Sequence, residues 1–431
     1  MHFIYNILAV LIVLLAIPAF IMRLCKEKGF AQRLYQSFGF IPDCEIKSVA
    51  KKDCIWLHAA SVGEIVAASP IIKEIRCAFP EKPILVSVVT ATGYAMAKRI
   101  ITEADSVIFS PLDVPGIAHQ VVKKIQPSVL LLVETEMWPN FLKAARAFSV
   151  PVMMVNGRIS DKSMGRYRYM GSVLQGMLDN MDKFCMQSTI DAQHILELGA
   201  DPSRVVVTGN TKFDQNYTSV TQEEQQVICQ EMGLVDAYPV LVAGSTHKGE
   251  EEILFRAFKK VREFFPEAKL VIAPRDIMRS EEIASIAKSS GFVAARRTLL
   301  LQDPTVRYDV VLLDTIGELG KIYSVSTIVY VGGSLVERGG HNILEPAAHG
   351  KPILVGPHMF NFKDTYSLFS QRNACRTVQD AGSLAESILD ILYNEQTRLQ
   401  MSSETVSIID ENRGAARKSM VYLREIVKSQ I

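Results

Sequence analysis

Four common signatures of nucleotide and metal chemistry are missing from this 431-residue chain. It has no G-x-G-x-x-G fingerprint, no G-x-x-x-x-G-K-[ST] loop, no H-E-x-x-H pair and no Asp-x-Asp. Dinucleotide binding of the usual kind, P-loop ATP binding, metalloprotease chemistry and metal-clamped sugar diphosphates are therefore poor readings. A charge excess is missing too. The 47 Lys and Arg residues stand against 46 Asp and Glu, which excludes a general nucleic-acid binder with its basic surplus. Cysteines are few and scattered, an odd seven without a C-x-x-C pair. That argues against a disulfide framework or a zinc site and for a reducing compartment. No fixed-period repeat and no low-complexity tract occurs. What the chain does have is 48% hydrophobic content, enough for a sizeable core in each of two or three domains.

Phe3 to Met22 reads FIYNILAVLIVLLAIPAFIM, uncharged, with Asn6 as its one strongly polar residue. As a helix at ~1.5 Å per residue it is roughly 30 Å long, the thickness of a bilayer's hydrocarbon core. Arg23, Lys26, Lys28 and Arg33 follow it, while only His2 precedes it. Positive charge stays on the cytoplasmic side, so the body of the chain is expected there. A cleaved signal peptide would need a basic start, a shorter apolar stretch and a small-residue cleavage site. An in-plane interfacial helix would need a polar face. Neither pattern is evident, and an uncleaved anchor over residues 1–24, spanning or only embedded, is the expectation.

A βα rhythm follows. Short apolar runs at Ile55–Ala59, Ile84–Thr90, Val107–Phe109, Val129–Val133, Val152–Val155 and Phe184–Met186 alternate with helical patterns. The rhythm pauses near Val205–Asn210, and the polar stretch Asn216–Glu224 reads as a linker. A second series has runs at Val240–Ala243, Lys269–Ala273, Val310–Leu313, Ile328–Val331 and Ile353–Val355. Alternation of this kind predicts two α/β domains with parallel sheets covered on both faces, residues 25–214 and 215–431. The last helix is free to pack back on the first domain. Ligands of such sheets bind outside the carboxyl ends of the strands.

Residues suited to chemistry gather at those ends. His58–Glu64 (HAASVGE) follows the first run. Gly63 permits close backbone approach, and Glu64 sits in a first helical turn, where it can take a proton or simply complement the helix dipole. Glu134–Asn140 (ETEMWPN) brings two carboxylates and Trp138, or alternatively a helix cap. Lys212, in TGNTKFD at Thr208–Asp214, can neutralise a leaving phosphate or be ordinary solvated charge. Gly244–Glu250 (GSTHKGE) offers backbone N–H groups to an anion. Arg275, after Pro274, can hold a phosphate with paired hydrogen bonds, and Asp314–Leu319 forms a further strand-to-helix turn. The densest stretch is GGSLVERGGHNILEP at Gly332–Pro346. Glycines precede a helix expected to start near Asn342, so a phosphate can sit at its N-terminus while Glu345, one turn in, bridges two ribose hydroxyls. His341 is an additional donor there.

Together these stretches resemble the 3-deoxy-D-manno-octulosonic-acid (Kdo) transferases of Gram-negative lipopolysaccharide synthesis, over essentially the full length. The resemblance rests on S-V-G-E at Ser61–Glu64, E-T-E-x-W-P-N at Glu134–Asn140, K-F-D at Lys212–Asp214 and S-T-H-x-G-E at Ser245–Glu250. It rests equally on Pro274-Arg275, G-G-S-L-V-E-R-G-G-H-N at Gly332–Asn342 and G-P-H-x-F-N-F at Gly356–Phe362. It implies a GT-B glycosyltransferase, two Rossmann-like domains facing across a cleft, that transfers Kdo from CMP-Kdo to lipid A precursor (lipid IVA) at the cytoplasmic face of the inner membrane. By the same resemblance Glu64 is the proton acceptor, and Glu134 and Lys212 stabilise the transition state. Pro274, Arg275, Ile316, Gly317, Glu318, Asn342, Ile343, Leu344 and Glu345 bind CMP. Ser245, Thr246 and His341 are candidate further donor-site residues. No metal or other cofactor is expected, because a CMP-sugar carries one phosphate and leaves less charge to clamp. The expected mechanism is a single inverting displacement. The basic stretch Lys26–Arg33, with Arg158, Arg166 and Arg168, could meet anionic membrane lipids and lipid A phosphates. The rival readings are a GT-B transferase or epimerase using a UDP-sugar, and a non-catalytic membrane scaffold.

Overall fold

The computed structural model describes residues 2–26, 29–215, 217, 219–303 and 305–428; Lys28 of the basic stretch and Asn216 of the expected linker lie outside them. The chain forms two compact units, Met1–Gln215 with Asn412–Ile431, and Asn216–Glu411.

The first unit is built on seven parallel strands: β1 (Ile55–Ala59), β2 (Ile84–Val88), β3 (Ser106–Phe109), β4 (Val129–Val133), β5 (Val152–Gly157), β6 (Lys183–Met186) and β7 (Val205–Val207), in the order β3-β2-β1-β4-β5-β6-β7. In register, Trp56 pairs with Leu85 on one side and Leu130 on the other. Period-2 alternation divides the strand residues between two cores. Trp56, Leu85, Leu130 and Leu132 enter one; Ile55, Leu57, Ala59, Leu131 and Val133 enter the other. Both faces are apolar because helices cover both, as parallel sheets require. The helix Val62–Ala78 packs on the second face.

The helix Ala415–Lys428 lies against it, adding Ala416, Met420, Leu423 and Val427 to the same core. Met420, Leu423 and Val427 each contribute on the order of 2 kcal/mol of burial free energy, and the single methyl of Ala416 less. Asp214 fixes the start of that helix, accepting from the backbone N–H groups of Gly414 at 2.5 Å and Ala416 at 2.6 Å.

The second unit repeats the plan with β8 (Val240–Thr246), β9 (Lys269–Pro274), β10 (Ala294–Arg296), β11 (Val310–Leu312), β12 (Ile328–Val331), β13 (Ile353–Val355) and β14 (Cys375–Thr377), all parallel, in the order β10-β11-β9-β8-β12-β13-β14. The architecture is two parallel-sheet α/β units, each in the doubly wound style.

Two sequence expectations need correction. The edge strands β10 and β14 were not expected; each has three residues, one of them an arginine, too short and too polar to show as an apolar run. The stretch read as a linker to Glu224 already contains a helix, Gln222–Glu231. Thr221 and Glu224 form a reciprocal capping box at its start, and the T-x-x-E spacing that specifies it was present in the sequence.

Candidate active site

In the first unit the strand order reverses between β1 and β4, and both carry their loops at the carboxyl end, the usual place for ligands of such sheets. Beyond β1, Ser61 is in extended conformation and caps the Val62–Ala78 helix, accepting the Glu64 N–H at 3.4 Å. Its hydroxyl donates to Glu64 Oε1 at 2.8 Å, and the Ala60 N–H donates to Glu64 Oε2 at 2.7 Å. The capping role and the catalytic candidacy thus belong to one geometry, because the bonds that finish the helix also aim the carboxylate. Only 9% of Glu64 is exposed. Burial, with Glu136 and then Glu134 adding repulsion against the hydrogen bonds from Ala60 and Ser61, pushes its pKa up to about 7. A carboxylate held there is ionised enough to accept a proton near neutral pH and basic enough to keep it.

Beyond β4, Glu134 has a positive φ of 57°, the left-handed region a non-glycine residue enters only under constraint. Its backbone N–H donates to Val155 O at 3.1 Å. Burial raises its pKa, while the charges of Lys212 and Arg158 lower it. Lys212 lies on the 3-10 turn Thr211–Asp214. Asn210 accepts the Lys212 N–H at 3.0 Å, Asn156 accepts the Thr211 N–H at 3.0 Å, and the Thr211 hydroxyl donates to Ala67 O at 2.6 Å. The turn is thereby tied to the same helix that carries Glu64. Glu64, Glu134 and Lys212, distant in sequence, form one electrostatic cluster.

Sequence reasoning left two members of that cluster without roles and gave a third a different one. Glu136 accepts from Trp138 Nε1 at 2.8 Å, and one of its oxygens is 3.7 Å from His58 Nε2. His58 is fully buried. Its Nδ1 is 2.9 Å from Ser87 Oγ, which also accepts from Trp56 Nε1 at 2.8 Å. The Ser87 hydroxyl, with two acceptor lone pairs and one proton, can serve Trp56 and Nδ1 together in either imidazole tautomer, while Nε2 faces Glu136 without a hydrogen bond among the described residues. Arg158, expected among lipid-facing charges, acts electrostatically on Glu134. No pattern in the sequence could pair His58 with Glu136; the β1–β4 adjacency does so.

In the second unit the order reverses between β8 and β12. Glu250 is wholly buried there. It accepts from Tyr330 OH at 2.6 Å and from the backbone N–H groups of Gly333, Ser334, Leu335 and His247 at 2.7, 3.1, 3.0 and 2.9 Å. One buried carboxylate thus moulds the glycine turn and the loop after β8. Gly332 is required by close approach, since a Cβ would sit 2.5 Å from Ser245 O. Ser245 has φ of 57° at a register shift between β8 and β9.

Thr246 is not free for a ligand. Its hydroxyl donates to Glu251 Oε1 at 3.0 Å, within a buried pair with Arg279. His341 and His247 stack with rings 3° from parallel and Nε2 atoms 2.8 Å apart, so one donates and the other accepts. Burial, then the charges of His247 and Arg275, pushes His341 down to about 4; it is neutral near neutral pH. Burial raises the Glu345 pKa, opposed by Asn342, whose Nδ2 lies 3.4 Å from Oε1, and by Arg275. The exposed Arg275, following the buried end of β9 at Pro274, therefore shares one field with His341, Asn342 and Glu345.

Three expectations about this unit change. The helix is Leu344–Ala348, five residues, starting two residues after Asn342, which accepts the Leu344 N–H at 3.1 Å. Its first donor is taken and its dipole is short, and Glu345 sits in the first turn. Ile343 and Leu344 are buried, so their side chains serve the core and only their backbone can face a nucleotide. Glu318 accepts from the Thr315 hydroxyl and pairs with Arg297 at 3.4 Å. With Ile316 83% exposed and Gly317 at φ +94°, that turn offers its backbone and the Ile316 side chain rather than the Glu318 carboxylate. Among the described residues no three His, Cys, Asp or Glu side chains gather so as to hold a metal ion.

Residues 32–215 match the family model for 3-deoxy-D-manno-octulosonic-acid transferase (kdotransferase). The 3-deoxy-D-manno-octulosonic acid transferase of Haemophilus influenzae is 30% identical over 411 residues, 94% of this chain and 94% of that protein. The Bordetella pertussis transferase of the same description is 31% identical over 381 residues, 86% and 87% of the two chains. Among solved structures, a glycosyltransferase from Rickettsia africae aligns with a TM-score of 0.58 at 16% identity, over 88% of this chain and 99% of that one. A UDP-GlcNAc 2-epimerase from Neisseria meningitidis reaches 0.58 at 14% identity, over 87% and 99%. The two structures share the fold with this chain.

Proposed function

The chain belongs to the 3-deoxy-D-manno-octulosonic-acid (Kdo) transferase family and is a glycosyltransferase; on that premise we propose that it moves Kdo from CMP-Kdo to lipid A precursor in a single inverting displacement. The observation that carries the reading is Glu64: a nearly buried carboxylate, aimed by Ala60 and Ser61, with its pKa pushed up to about 7. It removes the proton from the acceptor hydroxyl as that oxygen attacks the anomeric carbon. The bond from that carbon to the CMP phosphate oxygen breaks, and its electron pair leaves on the phosphate. Lys212 and Glu134 stabilise the charge that develops, with Arg158 beside them. Arg275, His341, Asn342 and Glu345, with the backbone of Ile316–Glu318 and Ile343–Leu344, hold CMP; Ser245 is a further donor-site candidate. The reaction needs no metal, because one phosphate is neutralised by side-chain cations.

The apolar stretch Phe3–Phe20, long enough to cross a bilayer, supports membrane association. The basic residues after it support a catalytic body on the cytoplasmic side of the inner membrane.

Thermal shift with CMP against UDP tests the donor. CMP should raise Tm in proportion to its occupancy while UDP leaves it unchanged. Stabilisation by UDP alone would instead favour a UDP-sugar enzyme on the same fold.

A further inference from the structure

The helix His2–Lys26 has two unlike sides. Its half-buried residues are Tyr5, Asn6, Ala9, Val13, Ala16 and Phe20. At about 100° per residue they all fall within one arc of roughly 100°. Ala9 and Ala16, small residues in the middle of that stripe, let the helix approach its support closely. Between Phe3 and Ala19 the rest of the circumference is exposed and apolar, with Ile4, Ile7, Leu11 and Leu14 along its centre and the neighbouring Leu15 81% exposed. One stripe rests on protein, and a broad apolar face is turned away from it.

Both ends of the stripe are tied to the same unit. The Tyr5 hydroxyl donates to Asp113 Oδ2 at 2.8 Å, and the Phe20 ring lies 6.2 Å from that of Phe30. Their separation along the helix is roughly 22 Å at ~1.5 Å per residue. A helix crossing the bilayer would carry Tyr5 to the far side of a hydrocarbon layer about 30 Å thick. Asp113 could not follow. Its carboxylate also accepts the backbone N–H groups of Asn140 at 3.0 Å and Phe141 at 2.8 Å, at the start of the helix Pro139–Ala147, and dragging these charged and polar groups into hydrocarbon is expensive.

We propose that this helix does not span the bilayer but lies in the plane of one leaflet, docked along the first unit, with its apolar outer face embedded among the acyl chains of the leaflet the unit faces. The proposal rests on the membrane association argued above and gives it a geometry. The missing polar face, which told against an in-plane helix, is supplied by the protein stripe. Through Asp113 the embedded helix also shares a carboxylate with the segment that follows Glu134–Trp138.

The test uses full-length protein in sealed inverted inner-membrane vesicles, with a His2→Cys variant and a membrane-impermeant maleimide. The exposed Cys44 and Cys77 report the side on which the unit lies, the unsubstituted protein gives the background, and labelling in SDS gives the full count. An in-plane helix predicts that position 2 labels in sealed vesicles on the same side as Cys44 and Cys77, to the SDS level. Labelling of position 2 only on the opposite side from those cysteines would establish a crossing and overturn the proposal. Recovery of the protein in the soluble fraction, away from the vesicles, would overturn the membrane association itself and this geometry with it.

Discussion

His58 Nε2 lies 3.7 Å from a carboxylate oxygen of Glu136, and Glu136 is in turn the largest charged influence on Glu64. The buried histidine, held by Ser87, thus lies beside the carboxylate that repels Glu64 most strongly. Replacing Glu136 with Gln removes a repulsive charge, so the Glu64 pKa should fall from about 7 toward the ordinary carboxylate range. A base works when deprotonated. Wild-type kcat/KM should accordingly decline as pH drops through about 7, and the E136Q acid limb should lie at lower pH. A pH profile of both proteins checks this; coincident acid limbs would remove Glu136 from the control of Glu64.

The same shift has a stability consequence. The Glu64 pKa is higher folded than unfolded, so folding favours its protonated form. Its favourable contribution is complete below its ordinary value of 4.5 and is lost as pH rises through about 7. Glu64→Gln, permanently neutral, should thus stabilise the first unit at pH 8, by up to a few kcal/mol, and change little at pH 5. Melting curves at the two pH values decide it. A destabilised E64Q at pH 8 would show that the hydrogen bonds from Ala60 and Ser61 outweigh the cost of burying the charge.

Glu250 is a structural counterpart. Glu250→Ala leaves the N–H groups of Gly333, Ser334 and Leu335 and the Tyr330 hydroxyl without their acceptor. The expected loss is about 3–5 kcal/mol, as for other buried charged groups removed from their partners. CMP affinity should fall with it, since the glycine turn loses its mould. Chemical denaturation and CMP titration measure the two effects; an unchanged midpoint would mean that water replaces the carboxylate.

Arg275→Ala should weaken CMP binding by about tenfold or more, and Arg275→Lys by less but still measurably, because an ammonium cannot reproduce a paired guanidinium contact. Titration of CMP and of cytidine separates the phosphate contribution. Equal losses for both ligands would place Arg275 away from the phosphate.

The sheets were legible because fully buried parallel strands are continuous apolar runs: Val129–Val133 could hardly be anything else. The three-residue strands at Ala294 and Cys375 were not, since an edge strand is short and polar. At the candidate site, identity was easier to read than geometry. Glu64, Glu134 and Lys212 stood out by their place at strand ends, and the fold gathers them. Thr246 stood out equally, yet its hydroxyl belongs to Glu251. Ile343 and Leu344 lie in the stretch expected to bind CMP, but their side chains are buried in the core. Glu136, His58, Arg158 and Glu250 have meaning only through partners on other strands, which no local pattern supplies. The shortness of the Leu344–Ala348 helix was likewise hidden, because Asn342 looks like part of the helix it caps.

The most direct measurement is the rate of Kdo transfer from CMP-Kdo to lipid A precursor, followed by mass spectrometry of the product, for wild type and Glu64→Gln at pH 7.5 in the presence of EDTA. Wild-type turnover should survive EDTA, and kcat should fall by roughly 10²–10⁴-fold in the variant while CMP binding and folding persist. Wild-type turnover by E64Q, or abolition of wild-type activity by EDTA with recovery on adding metal, would contradict a metal-free transfer with Glu64 as its base.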